Sequence, residues 1–157
     1  MKLLKIQSAI YECQTEELTP AEQALVQVAI EQTQYSYAPY SKFHVGAALL
    51  LEDNVVIRGC NQENAAFPAG LCAERSALFA AGAQYPEVVP VMLAIAARDT
   101  SGELTAEPIS PCGTCRQVII ETETRYNRPL RILLYGTAKV YVMDGISQLM
   151  PLSFNEF

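Results

Sequence analysis

Charge is scarce in this chain. Only 18% of its 157 residues are charged, against roughly a quarter in an ordinary soluble domain, while 50% are hydrophobic. A surface this poor in charge is economically explained if part of it is covered by further copies of the chain. Basic residues are scarcer still, 11 against 17 acidic, for a net charge of -6. That excludes the electrostatic footprint on which non-specific nucleic-acid binding rests. No apolar run is long enough to span a bilayer. Lys5, Gln7 and Glu12 break up any signal-like stretch behind Met1. The expectation is a cytoplasmic protein with neither a nucleic-acid nor a membrane partner. Internal repeats, low-complexity tracts and linkers are absent too. The sole histidine, His44, reads as a packed or surface residue rather than a ligand. Five cysteines make an odd count, and their pattern suits metal ligands rather than a disulfide framework.

What is present suits one domain with a real core. Residues 1–17 read as an N-terminal extension, with a strand around Leu3–Tyr11, and residues 18–157 as the single domain. Thr19-Pro20-Ala21-Glu22 is a capping box with proline at the first helical position, so a helix is expected from there to Gln34. Its stripe is Ala24, Leu25, Val28 and Ala29. Val45–Leu51 and Val55–Gly59 are apolar strands joined through Asp53-Asn54. A polar loop covers 61–71, helices cover 73–83 and 112–122, and strands cover 89–97, 131–135 and 139–143. A helical turn falls near Ile146–Leu149. This order predicts an α/β fold: a three-layer α/β/α sandwich around a mixed sheet of about five strands.

Three cysteines and a glutamate carry the chemistry: Cys72-Ala73-Glu74, then Pro111-Cys112-Gly113-Thr114-Cys115. All three thiols sit at expected helix N-termini, where the helix dipole favours the thiolate. Cys112 and Cys115, at i and i+3, share a helical face. Three ligands are one fewer than a structural zinc site uses, which leaves a fourth position open to water. Glu74 stands where it can move protons to and from that water. Three thiolates leave Zn²⁺ with a net charge near −1. Arg75 and Arg116 are the cations next to ligands, and Arg75 is preferred because it shares the helix of Cys72 and Glu74. Two blander readings compete. A Cys-x-x-Cys redox pair leaves Cys72 and Glu74 idle, and a fourth ligand from Cys60 or His44 would close the site.

Cys-Ala-Glu-Arg followed by Pro-Cys-Gly-x-Cys-Arg-Gln resembles the cytidine deaminases of pyrimidine salvage, in their three-cysteine, homotetrameric branch. The likeness extends over residues 19–154. It includes Ala38-Pro39-Tyr40-Ser41-Lys42-Phe43, Gly59-Cys60-Asn61-Gln62-Glu63-Asn64-Ala65 and Leu149-Met150-Pro151-Leu152-Ser153-Phe154. It implies one Zn²⁺ per chain on Cys72, Cys112 and Cys115, with Glu74 as proton shuttle for an activated water and Arg75 offsetting thiolate charge. It also implies that Asn61 and Glu63 hold ribose hydroxyls, and that Phe43, Ala65, Ala73 and Phe154 bind substrate. By the same resemblance, Ala65 and Phe67 are expected in a segment that reaches a neighbouring subunit's site, and Phe154 is expected to reach across subunits as well. The implied reaction is hydrolysis of free cytidine, and of 2′-deoxycytidine, to the uridine product and ammonia. The residues agree in part: in an extended segment Asn61 and Glu63, at i and i+2, point the same way, and an amide with a carboxylate suits vicinal hydroxyls. The chain departs from the family at His44, where proline is usual, at Phe67, where tyrosine is usual, and in a longer segment between Glu121 and Arg131.

Overall fold

The computed structural model describes residues 1–155. Thr19 caps α1 (Pro20–Gln32) as expected: its hydroxyl accepts from the Glu22 N–H at 3.3 Å, and Glu22 Oε2 accepts from the Thr19 N–H at 2.8 Å. Helices α2 (Ala73–Gln84) and α3 (Gly113–Tyr126) each have a cysteine at the N-cap, Cys72 and Cys112. Helix α3 outruns the expected 112–122 and ends at Asn127, in the left-handed region at φ 47°, a conformation asparagine tolerates. The reason is tertiary. Glu123 Oε1 accepts the N–H groups of Leu130 and Ile146, both at 2.9 Å, so contacts from beyond the helix hold its last turn.

Among the described residues six strands form one sheet, in the order β1 (Tyr11–Cys13), β6 (Val140–Asp144), β5 (Arg131–Tyr135), β4 (Pro90–Arg98), β2 (His44–Leu51), β3 (Val56–Cys60). The expected count of about five is corrected by β1, which pairs antiparallel with Val140–Val142. The extension thus supplies a strand at Tyr11–Cys13 rather than at Leu3–Tyr11. Residues 1–10 find no partner strand, and Leu3 and Leu4 stay 79% and 70% exposed.

The sheet is covered on both faces, and the two-residue period of β2 sorts its side chains between them. Ala47, Leu49 and Leu51 pack with Leu78, Ile119 and Ile132 under α2 and α3. Ala48 packs with Leu25, Val26 and Ala29 of α1. Each large aliphatic side chain buried this way contributes about 1.5–3 kcal/mol.

Topology places the site. Strands β3 and β4 both run antiparallel to β2, so they point the same way. Helix α2 comes after β3 and α3 after β4, so both helix N-termini reach the same end of the sheet, where open α/β sheets bind ligands. Gly59 lets α2 lie close on β3: a Cβ there would stand 2.4 Å from the Ala73 carbonyl oxygen. No helix among the described residues is long and apolar enough to cross a membrane.

Candidate metal centre and cleft

The two helix starts bring Cys72, Cys112 and Cys115 together. Their Sγ atoms all lie within 4.8 Å of one another, with Cys72–Cys112 at 3.9 Å and Cys112–Cys115 at 3.4 Å. Zinc–sulfur bonds of about 2.3 Å at a tetrahedral centre separate two sulfurs by about 3.8 Å. Three thiols at this spacing fit that ion. Among the described residues no fourth cysteine, histidine or carboxylate joins the group. Cys60 instead accepts from Gln62 Nε2 at 3.2 Å, and His44 Nδ1 meets the Ser36 hydroxyl at 2.5 Å. All five cysteines are free thiols.

The three thiols share protons unevenly. Hydrogen bonds from the Cys115 thiol, the Arg75 guanidinium and Cys112 push Cys72 down to about 5 despite partial burial. Cys115 is pushed up in turn, by its bond to the Cys72 sulfur, by burial and by the Glu74 charge. Arg75 Nη2 donates to Cys72 Sγ at 3.5 Å, while its buried Nε has no partner among the described residues. Arg116 is occupied elsewhere: it donates to the Pro111 and Leu149 carbonyls, both at 2.9 Å, and so pins the turn ahead of Cys112.

Glu74, in the first turn of α2, is 4% exposed. Burial raises its pKa and the Cys72 charge adds to that, against hydrogen bonds from its own N–H and from Cys115. A carboxyl held above its ordinary range keeps a proton more readily than an exposed one, which suits a group that must take a proton up and pass it on.

A cleft of about 600 Å³ opens in front of Cys72 and Arg75, walled by Tyr40, Ser41, Asn61–Asn64, Phe67, Gly70 and Leu71. Its floor is an extended segment. Glu63 N–H donates to the Tyr37 carbonyl at 2.8 Å, and Gln62 and Leu71 exchange a pair of backbone bonds at 2.8 and 2.9 Å. Asn61 and Glu63 both face the cleft, and both also hold its wall. Asn61 Oδ1 accepts from the Val45 N–H at 2.8 Å, and its Nδ2 donates to the Phe43 carbonyl at 3.0 Å. Glu63 Oε2 accepts from the N–H groups of Tyr40 at 2.9 Å and Ser41 at 3.2 Å. The Ser41 hydroxyl and these amides keep the Glu63 carboxyl below its usual range.

Other expected residues lie outside the lining. Ala73 is buried at the start of α2, Phe43 is half-buried just ahead of β2, and Ala65 is exposed on the adjoining loop. Phe154 is 66% exposed, and its carbonyl accepts from Gln117 Nε2 of α3 at 2.7 Å. Phe67 lines the cleft of its own chain, edge-on to Tyr40 at 6.1 Å between centroids. Tyr40, Asn64 and Leu71 are lining residues that sequence reasoning did not single out. Tyr40 lay within a recognised stretch and Leu71 directly precedes a ligand, which were the available signals.

Comparison with known proteins gives a consistent result. Residues 19–127 match the model of the cytidine and deoxycytidylate deaminase zinc-binding region. A cytidine deaminase of Halalkalibacterium halodurans is 46% identical over 99 residues, covering 63% of this chain and 70% of that protein. One from Mycobacterium tuberculosis is 39% identical over 102 residues, covering 61% and 69%. The crystal structure of a cytidine deaminase from Burkholderia pseudomallei superimposes with a TM-score of 0.72 at 38% identity, covering 87% of this chain and 100% of that one.

Proposed function

This chain belongs to the cytidine and deoxycytidylate deaminase zinc-binding family, and on that premise we propose that it hydrolyses free cytidine and 2′-deoxycytidine to the uridine product and ammonia, in pyrimidine salvage in the cytoplasm. One observation carries the reading: three sulfurs at zinc-binding spacing stand at the end of a nucleoside-sized cleft, with a buried glutamate between two of them in sequence.

Cys72, Cys112 and Cys115 hold the zinc. The chemistry that the ion supplies when bound is Lewis acidity, which lowers the pKa of water. Arg75 offsets the thiolate charge through its contact with Cys72. Glu74 takes a proton from the attacking water and delivers it to N3 of the base. It then takes the second proton, from the hydroxyl now on C4, and delivers it to the amino group, which leaves as ammonia while that oxygen becomes the carbonyl of the uridine product, so one carboxyl serves as base and acid in turn. Asn61 and Glu63 hold the ribose. Each spends part of its hydrogen-bonding capacity on the wall, and the remaining N–H and lone pairs of the amide and the second carboxylate oxygen serve the hydroxyls. The family resemblance assigns Phe43, Ala65 and Ala73 to the base end, although in the single chain they stand outside the cleft lining. The active sites are shared in a homotetramer, with Phe154 reaching a neighbour's site.

Ammonia release measured on the zinc-loaded protein with cytidine, 2′-deoxycytidine and cytosine tests the reading. Turnover of both nucleosides with little on the free base is expected. No release from cytidine would overturn it, and equal rates on cytosine and cytidine would remove the ribose role.

A further inference from the structure

The cleft wall is an irregular segment, residues 37–43, running between the end of α1 and the start of β2. It contains a left-handed non-glycine residue, Lys42 at φ 58°, which costs about 1–2 kcal/mol. Such a segment keeps its shape only if the surrounding contacts impose it. Two of those contacts come from the cleft floor, through Asn61 and Glu63. The third closes the segment at its base, where the residues that flank it meet: Ser36 Oγ and His44 Nδ1 are 2.5 Å apart.

The neighbours of that bond suggest its direction. Ser36 Oγ also contacts the Thr33 carbonyl at 3.0 Å. A carbonyl can only accept, so a serine hydrogen spent there leaves the serine oxygen to accept and His44 Nδ1 to donate. That is the tautomer the proposal takes for His44. Thr33 is itself fixed: its hydroxyl donates to the Ile30 carbonyl at 2.7 Å and accepts from Arg98 Nε at 2.8 Å. Arg98 is the register partner of His44 across β2 and β4. The first residue of β2 and the last of β4 are thus both bonded to the turn that ends α1.

We propose that His44 is a positioning residue for nucleoside binding, whose Nδ1–H bond to Ser36 latches the base of the cleft wall and so sets where Tyr40 and Ser41 stand. This rests on the nucleoside reading above. His44 is not among the residues that line the cleft. It acts through the wall, so loosening the latch raises KM and leaves kcat at saturation, and zinc content, unchanged.

Histidine variants that separate shape from donation test this. Asn places an amide N–H where Nδ1–H stands, whereas Asp is the same shape and cannot donate when ionised. His44→Asp, His44→Ala and Ser36→Ala are each expected to raise the KM for cytidine about three- to tenfold, the effect of one lost hydrogen bond. His44→Asn is expected to stay within about twofold of wild type, and Ser36→Ala combined with His44→Ala to cost no more than either alone. Wild-type protein without cytidine turnover refutes the nucleoside reading rather than the latch. With wild-type activity in hand, an unchanged KM in Ser36→Ala and His44→Ala overturns the latch. So does a His44→Asn variant as impaired as His44→Asp, or a loss confined to kcat.

Discussion

Gly59→Ala is expected to strip the protein of zinc through a backbone collision rather than a lost ligand. The Cβ it adds would stand 2.4 Å from the Ala73 carbonyl oxygen and 2.7 Å from the Ala77 nitrogen. Non-bonded heavy atoms of this kind settle near about 3.5 Å, so α2 must retreat from β3 by about 1 Å. Both obstacles are backbone, so no side-chain rotation relieves them. Ala73 adjoins Cys72, and the same movement carries that sulfur away from Cys112 and Cys115. Zinc sites tolerate about 0.2 Å of error in ligand distance, and the displacement is several times that. Overpacking of this kind costs about 1–3 kcal/mol of stability.

Two other glycines serve as controls. A Cβ on Gly46 meets the Ala29 carbonyl oxygen at 2.1 Å, but on the α1 face. Gly46→Ala should lose comparable stability and keep its zinc. A Cβ on Gly113 meets nothing within 4 Å, so Gly113→Ala should change neither property. The measurements are zinc per folded chain by elemental analysis and urea unfolding of each variant. Gly59→Ala with wild-type zinc content and stability would refute the claim that close α2–β3 packing sets the ligand geometry. Equal zinc loss in Gly46→Ala would show that any overpacking of the sheet does the same.

Glu74→Gln should keep fold and zinc and lose about 10²–10⁴-fold in turnover, the range for losing a general acid–base; near-normal kcat in a zinc-replete variant refutes the shuttle. Cys112→Ala and Cys115→Ala should each abolish zinc binding and turnover, and chelation of the wild type should do likewise; activity in metal-free protein counts against the whole centre. Burial alone would raise the Glu22 pKa, but its bonds to Thr19 and to Arg131 at 2.5 Å hold it below the usual range, so its stabilisation is present above the unfolded value of about 4.3 and fades as pH falls through the lower folded value. Glu22→Gln should therefore cost about 1–3 kcal/mol at pH 7, and its difference from wild type should shrink in urea titrations as pH is lowered below the unfolded value; a difference that does not change with pH would refute the charge argument. Removing residues 153–157 should weaken nucleoside binding without altering zinc content, and light scattering should report a tetramer for the intact chain; an active monomer, or unaltered affinity after truncation, sinks the shared-site proposal.

The parts of the fold written in local chemistry were legible. The capping box at Thr19 and Glu22 set the start of α1, and the apolar run of β2 suited a strand covered on both faces. The three thiols were legible because helix starts and i, i+3 spacing are local facts. What the sequence hid depends on distant partners. β1 exists only where β6 presents Val140–Val142 to it. The last turn of α3 is held by bonds from Glu123 to residues beyond the helix. The second task of Asn61 was equally hidden, since it requires β2 to lie alongside the 61–63 segment.

That second task bears on how the cleft is built. A ribose-binding pair standing on a flexible loop would have to order itself on binding, a cost of about 0.5–1.5 kcal/mol for each immobilised side chain. Here the Asn61 amide is already fixed by two backbone bonds, and the Glu63 carboxylate by two more. Both are in place before a ligand arrives. The same four bonds pull the wall towards the floor, so pair and wall are ordered together. Truncating Asn61 would then do more than remove a hydroxyl contact, because it frees the N–H of Val45 and the carbonyl of Phe43 at the point where β2 begins. A substitution at Asn61 should for that reason impair cytidine binding more than the loss of one hydroxyl from the substrate does. Urea unfolding of Asn61→Ala beside its KM for cytidine separates the two contributions, since losing a hydroxyl contact alone leaves stability unchanged. An Asn61→Ala variant as stable as wild type would refute the structural share of the role.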